Sequence, residues 1–273
     1  MALTQDGRPT TRWAATPSSR ELAFLSLVGA VFFFGGWQLI AMSGLVSQYI
    51  LPSPLDVLEQ IYQLETEPFA GFVLHQHLLS SLERFMFGFL LAAALGIPLG
   101  LIMGRYRLLD EIVTPLFEAY RYVAPLAWVP FAALWFGTGI GGPVMVIFTG
   151  AFAPCVVNAY RGAQLVERYL IEAAQTLGAS NLRIMREVLL PGALPSIVVA
   201  GLRVSAGLGW QSLIGAELIV VSSGLGYVMV QGQSNLAPDI VMSAMLVIGV
   251  VGLCIDVALR AAERWLSRRW GRV

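Results

Sequence analysis

Long apolar runs recur along this chain at a length that suits the interior of a lipid bilayer. A membrane-crossing helix needs about 20 mostly apolar residues. Candidate spans run from Ala23 to Met42, Phe85 to Met103, Val123 to Phe136 with its helical lead-in, Pro143 to Tyr160, Leu194 to Val221 and Ile240 to Leu259. Pro125 and Pro130 interrupt the third, which is tolerable where neighbouring helices satisfy the freed backbone groups. Composition agrees: the 273 residues are 57% hydrophobic and 12% charged, about half the charge of a soluble domain. The expected class is an all-α membrane protein with six transmembrane helices. No apolar core precedes about Ala23 and no small-residue cleavage site follows the first run, so that run reads as a retained span rather than a signal peptide.

Arginine placement orients these spans. Arg8, Arg12 and Arg20 precede the first, and Arg105, Arg107 and Arg121 separate the second from the third. Arg161, Arg168, Arg183 and Arg186 separate the fourth from the fifth, and Arg260, Arg264, Arg268, Arg269 and Arg272 close the chain. The alternate connections are nearly free of arginine: residues 43–77 hold Asp56, Glu59, Glu65 and Glu67, and residues 222–239 hold Asp239. With six spans, the arginine-rich segments share one side, which the positive-inside rule makes cytoplasmic, together with both termini. Residues 1–22 and 263–273 then form cytoplasmic tails around a membrane domain over 23–262.

All 17 basic residues are arginine, and the formal net charge is zero. A phosphate-binding Walker loop and a Schiff base both need lysine, so neither chemistry belongs to this chain. Zero net charge gives no bulk electrostatic case for nucleic acid. Cys155 and Cys254 lie inside apolar runs far apart and read as small buried hydrophobes rather than a disulfide. His75 and His77 fall in the outer connection, two residues apart and without a cysteine or carboxylate cluster, a poor pattern for metal.

Small residues recur at every fourth position of the second span, at Gly88, Ala92, Gly96, Gly100 and Gly104, and again at Gly201, Ser205 and Gly209 in the fifth. Such stripes allow close helix approach in lipid, either as ordinary packing or as a core that rocks as a unit. In the outer connection, Ser53 can cap a helix with Pro54 at its first position. Leu55, Leu58, Ile61 and Tyr62 share a face of that helix, suited either to the outer membrane surface or to a solvated loop. On the cytoplasmic side, Leu165, Val166, Tyr169, Leu170, Ala173, Ala174 and Leu177 recur at helical spacing. Gly178 should end that helix, Ser180 should cap a second, and Pro191 should stop it. Two short amphipathic helices over about 164–190 would thus present an apolar stripe, which needs cover from its own bundle or from a partner.

The pattern Glu172-Ala173-Ala174, three residues, Gly178, nine residues, Val188, one residue, Leu190-Pro191 resembles the EAA loop of bacterial ABC importer permeases. Its one departure is valine for isoleucine. The segments "GIPLGLIMGRY", "PLAWVPFAALWFGTG" and "GLRVSAGLGWQSLIGAELI" resemble the nitrate, sulfonate and taurine branch, although "YRYVAPLAW" lacks a second proline common there. The resemblance implies a type I ABC importer (MetI-like) permease fold in the bacterial inner membrane. It also implies a separate ATP-binding subunit that uses ATP and Mg, an external substrate-binding protein, and a second copy of this chain. The chain itself would bind no cofactor and would not be an enzyme. In that reading Ala173 and Ala174 permit docking on the ATPase, Glu172 supplies a polar contact, Gly178 forms the elbow, and Leu190-Pro191 close the motif. The cargo would be a small anion or zwitterion: an alkanesulfonate, taurine or nitrate.

Arg203 and Glu217 lie at membrane depth, where ionisable residues default to functional hypotheses. Fourteen residues apart is about 21 Å along a helix, so they cannot pair with each other. Arg203 would either attract an anionic cargo or make a structural ion pair, and Glu217 would either gate or sit at the interface. Trp210 and Gln211, between them, would either line the pathway or pack. Asp256 and Arg260 have the spacing of a helical ion pair. The competing readings are a secondary carrier or channel without a motor, which needs such charges for coupling, and an intramembrane enzyme, for which no convergent nucleophile and base are in view.

Overall fold

A computed structural model describes residues 19–44, 46–47, 50–219 and 221–270. Arg8, Arg12 and Arg272 lie outside the described residues, as do the side chains of Arg20, Arg268 and Arg269. Among the described residues the chain is helical and has no strand, with an isolated bridge between Phe69 and Phe72. It divides into two compact units, residues 1–59 and 60–273.

The first unit holds α1 (Ser19–Met42) and the start of α2 (Pro54–Thr66). Phe24, Leu27, Val31, Phe32 and Leu39 of α1 point outward on every side, as expected of a helix whose solvent is lipid. Trp37 Nε1 donates to Pro52 O at 3.1 Å. The cap of α2 forms as expected: Ser53 Oγ accepts from Asp56 N at 3.2 Å, and Asp56 Oδ2 accepts from Ser53 N at 2.9 Å. Leu55, Leu58 and Tyr62 stand exposed along α2.

The second unit is built around α6 (Gly141–Leu165), which lies between α3 (Leu74–Arg105) and α10 (Arg203–Glu217). The glycine stripe of α3 makes the first contact. A Cβ placed on Gly88 would meet Ile147, one on Gly96 would meet Cys155, one on Gly100 would meet the Val156 carbonyl and Ala159, and one on Gly104 would meet Ala163. The partners rise in number together, so α3 and α6 run parallel. The fifth-span stripe makes the second contact, running antiparallel: Gly209 faces Ala151 and Ile147, and Cys155 Sγ lies 3.1 Å from Ser205 Oγ. Cys155 is buried as expected, whereas Cys254 stands exposed on α12 (Pro238–Trp270), contrary to the buried position read for it.

Among the described residues, four helices are long and apolar enough to cross a bilayer: Phe24–Met42, Leu74–Arg105, Gly141–Leu165 and Pro238–Trp265. The third expected span is shorter. α4 (Arg107–Arg121) leads through a 3-10 turn at Pro125–Trp128 into α5 (Val129–Phe136), with both prolines in first turns, where no backbone donor is missed. The second span begins earlier than Phe85: α3 starts at Leu74 and takes in His75 and His77, which the sequence reading put in a loop. At 32 residues, α3 is about 48 Å long, more than the roughly 30 Å hydrocarbon layer.

Pro191 does not stop the second of the two short helices expected over 164–190. The helical backbone continues through α8 (Asn181–Ile184), a π-helical Met185–Leu189, α9 (Leu190–Ser196), a second π segment Ile197–Leu202 and α10. Leu190 N donates to Met185 O, a wider turn just ahead of Pro191, and Pro191 occupies the first turn of α9. The missing N–H therefore falls where the ladder is already re-registered. α7 (Arg168–Thr176) and α11 (Leu225–Ser234) complete the unit.

Gly100→Ala drives a methyl into the Val156 backbone and should cost about 1–3 kcal/mol. Gly249→Ala, with nothing within 4 Å of its Cβ, should be neutral or slightly stabilising. Thermal unfolding in detergent should order the variants as wild type and Gly249→Ala together, with Gly100→Ala well below.

Candidate functional site

Two constructions stand at opposite ends of the α3–α6–α10 block. The first is the elbow beyond the C-terminal end of α6. Val166 is extended there, so the apolar run expected to form one helix from Leu165 splits between α6 and α7. α7 ends at Gly178 with φ +76°, Gly178 N donates to Gln175 O at 2.9 Å and Ala179 N to Ala174 O at 3.0 Å. This paired closure is the Schellman motif, which needs a left-handed residue at that position. Ser180 Oγ then accepts from Arg183 N at 3.4 Å, capping α8 as expected.

The elbow divides its apolar side chains between two destinations. Val166, Ile171, Met185 and Leu190 pack with buried Leu101, Ala159, Leu189 and Ala193. Tyr169, Leu170, Leu177 and Leu182 remain exposed, so the bundle covers part of the stripe and leaves the rest open. Glu172, Ala173 and Gly178 are exposed and Ala174 is half-buried, while Leu190 and Pro191 sit in the half-buried root of the elbow. Glu172 is held by Arg168 at 3.2 Å, with both side chains largely in solvent, a pair of little energetic weight that can exchange partners.

The second construction is a buried ionic clasp at the Leu74 end of α3. Glu217, the last residue of α10, is 1% exposed and Arg84 of α3 is 7% exposed. Arg84 Nη1 donates to Glu217 Oε1 at 2.8 Å and to Ser223 O at 2.7 Å, and Arg84 Nη2 donates to Ser223 Oγ at 2.6 Å. Ser81 Oγ lies 2.8 and 2.9 Å from the two carboxylate oxygens. Three backbone donors of residues 224–226, at the start of α11, join the same network. Gly226 N donates to Glu217 Oε2 at 3.0 Å, Leu225 N to Ser81 Oγ at 2.9 Å, and Gly224 N to His77 Nδ1 at 3.0 Å. The unpaired N–H groups at a helix start need acceptors, and here α3 and α10 supply them. Gly224, at φ +114°, and Gly226 must be glycine, because a Cβ on either would collide with Glu217.

The membrane-depth residues singled out in the sequence do not converge. Arg203 Nε lies 2.6 Å from Asp256 Oδ1, and Arg260 Nη2 lies 2.6 Å from Asp256 Oδ2. Glu217 belongs to the clasp. Trp210 is buried, donates from Nε1 to Ile248 O at 3.2 Å and meets Phe85 edge-on at 5.6 Å. Gln211 is exposed, in line with Val204, Gly207, Leu208 and Leu218 on one open face of α10. Of His77, Ser81, Arg84 and Ser223, the sequence singled out His77 alone, as a poor metal ligand, and the other three went unnoticed. His77, Ser81 and Arg84 are spaced four and three apart, which puts them on one helix face.

Breaking one partner of a buried ion pair costs about 3–5 kcal/mol, because it strands the other charge. Glu217→Gln and Arg84→Gln should each lower the unfolding midpoint sharply. The double variant should be less damaged than the two losses added, the sign of direct coupling. Strict additivity in detergent unfolding would show that the pair is not a unit.

A permease of taurine transport from Escherichia coli (strain K12), TauC, is 37% identical over 263 residues, covering 96% of this chain and 94% of that protein. A bicarbonate transport permease from Synechococcus elongatus, CmpB, is 34% identical over 253 residues, covering 89% of each. A permease described as a putative aliphatic sulfonates transport protein from Bacillus subtilis (strain 168), SsuC, is 33% identical over 232 residues, covering 85% of this chain and 82% of its own. Among solved structures, a chain from inward-facing MetNI methionine ABC transporter crystals superposes with a TM-score of 0.62 at 18% identity, covering 73% of this chain and 96% of that one. Such a likeness establishes the shared fold. The pattern of the family described as binding-protein-dependent transport system inner membrane component matches residues 96–272, and this chain belongs to that family.

Proposed function

We propose that the chain is the membrane subunit of an ATP-driven importer for a small sulfonate-bearing solute, taurine or an alkanesulfonate, with nitrate and bicarbonate as the neighbouring anion chemistry. It works as a pair of identical chains. Each has six spans: the four long helices, the α4–α5 segment, and the continuous helix from α9 to α10. Both termini are cytoplasmic in the bacterial inner membrane, the membrane domain covers 23–262 between tails 1–22 and 263–273, and the coupling helices cover about 164–190. The observation that carries the reading is the elbow: a glycine-closed helix with exposed Tyr169, Leu170, Leu177 and Leu182 is a surface built to be covered. The reading assigns that cover to a separate ATPase, which binds ATP and Mg. A substrate-binding protein would deliver cargo on the other side.

The motion follows from the packing. Closure of the two ATPase subunits would draw the elbows together, and the rigid α3–α6–α10 block would relay the displacement as alternating access. Gln211 and its open face on α10 would line the pathway between the paired chains. A motor-free carrier has less support, since Arg203, Glu217 and Asp256, the membrane charges it would call on, each have charged partners.

Gly178→Asp tests the elbow directly. Open space surrounds this position, so the substitution strains only the backbone, by about 1–2 kcal/mol, and the chain should still fold and insert. Co-purification from native membranes should recover an ATPase at one copy per chain with wild type and a greatly reduced amount with the variant. Equal recovery with both would overturn the coupling role.

A further inference from the structure

The His77 ring is 1% exposed and both of its nitrogens are committed. Gly224 N lies 3.0 Å from Nδ1, and Phe69 O lies 3.0 Å from Nε2. An amide N–H can only donate and a carbonyl can only accept. Nδ1 must therefore carry a lone pair and Nε2 the hydrogen, so this network fits the neutral ring in one tautomer. A second proton would have to sit on Nδ1, where it would face the Gly224 N–H hydrogen to hydrogen and forfeit that bond.

The surroundings do not welcome the added charge. On α3 the ring shares its face with Ser81 and the Arg84 guanidinium. Glu217 comes from α10, but its oxygens are already taken by Ser81, Arg84 and Gly226. Ser223 comes from the loop, engaged by Arg84. Residues 69–72 contribute the Phe69 carbonyl and the Phe72 ring, edge-on at 5.6 Å, and no charge. Glu65 of α2 is paired with His75 at 2.7 Å instead.

We propose that His77 is a proton-operated latch on α11: when neutral it fastens Gly224, the cap of that helix, to α3, and when protonated it lets Gly224 go. Releasing Gly224 frees the turn that also holds Gly226 on Glu217 and Ser223 on Arg84, so the proton loosens the end of α10 as well as the start of α11. Histidine is the side chain whose ordinary titration range makes such a switch usable near neutral pH. The latch itself does not depend on the proposed function. Only its consequence does: in the orientation proposed above this end faces outside, and acid there would slow uptake.

Hydrogen exchange over residues 223–226 of the full chain in nanodiscs reads the latch without any partner or cargo. After correction for the intrinsic pH dependence of exchange, wild-type protection should fall between about pH 8 and about pH 5, approaching tenfold per unit once the ring titrates. His77→Gln keeps the same two hydrogen bonds, its amide oxygen accepting from Gly224 and its amide nitrogen donating to Phe69, but it cannot titrate. Its protection should stay flat across that range. Wild-type protection that does not change with pH, or an equal fall in the glutamine variant, would overturn the latch. If the variant does not fold, the ring nitrogen resonances of wild-type His77 decide. Double protonation in step with lost protection supports the latch, and a ring that stays neutral or gains its proton with protection intact contradicts it.

Discussion

The close approach of α3, α6 and α10 is the constraint on which the rest of the second unit depends. In lipid no hydrophobic drive brings helices together, so contact has to come from packing at short range. The glycines of α3 supply it along the length of α6, and Ser205 and Gly209 of α10 supply it on the other flank. Because α3 runs with α6 and α10 runs against it, the Leu74 end of α3 lies beside the end of α10. That proximity brings Arg84 within reach of Glu217 across 133 positions of sequence.

The clasp and the elbow are consequences of this block at its two ends. Burial of a carboxylate and a guanidinium is costly unless the remaining hydrogen bonds are made; Ser81, Ser223 and Gly226 make most of them, while Arg84 Nε is left without a partner. What the chain gains is a fixed start for α11, whose backbone donors would otherwise face an apolar interior. At the other end, Val166, Ile171 and Leu190 root the elbow in the block, while the exposed leucines beyond it have no cover of their own. In the proposed mechanism, a force on the elbow would act on this close-packed block.

Local chemistry was legible in the sequence and long-range pairing was not. The Ser53 cap, the Gly178 closure and the Ser180 cap each depend on a few consecutive residues, and each formed as read. The glycine stripes announced close packing, although not which helix would receive them. Pro191 misled because a proline stops a helix only when the ladder ahead of it keeps α register, and the π-helical Met185–Leu189 abandons that register. The clasp was half visible: Glu217 stood out as a charge at membrane depth, whereas Arg84, at the edge of an apolar run, drew no notice. His77 was read as part of a loop because the helix begins beyond the apolar segment, and a histidine whose partner is a backbone amide 147 positions away leaves no local trace.

The most direct test of the account is uptake of labelled taurine into proteoliposomes containing this chain, any ATPase recovered with it from native membranes and a taurine-binding protein. The account predicts accumulation that requires ATP and Mg and vanishes when either partner is left out. Equal accumulation by the chain alone, without ATPase or nucleotide, would contradict it.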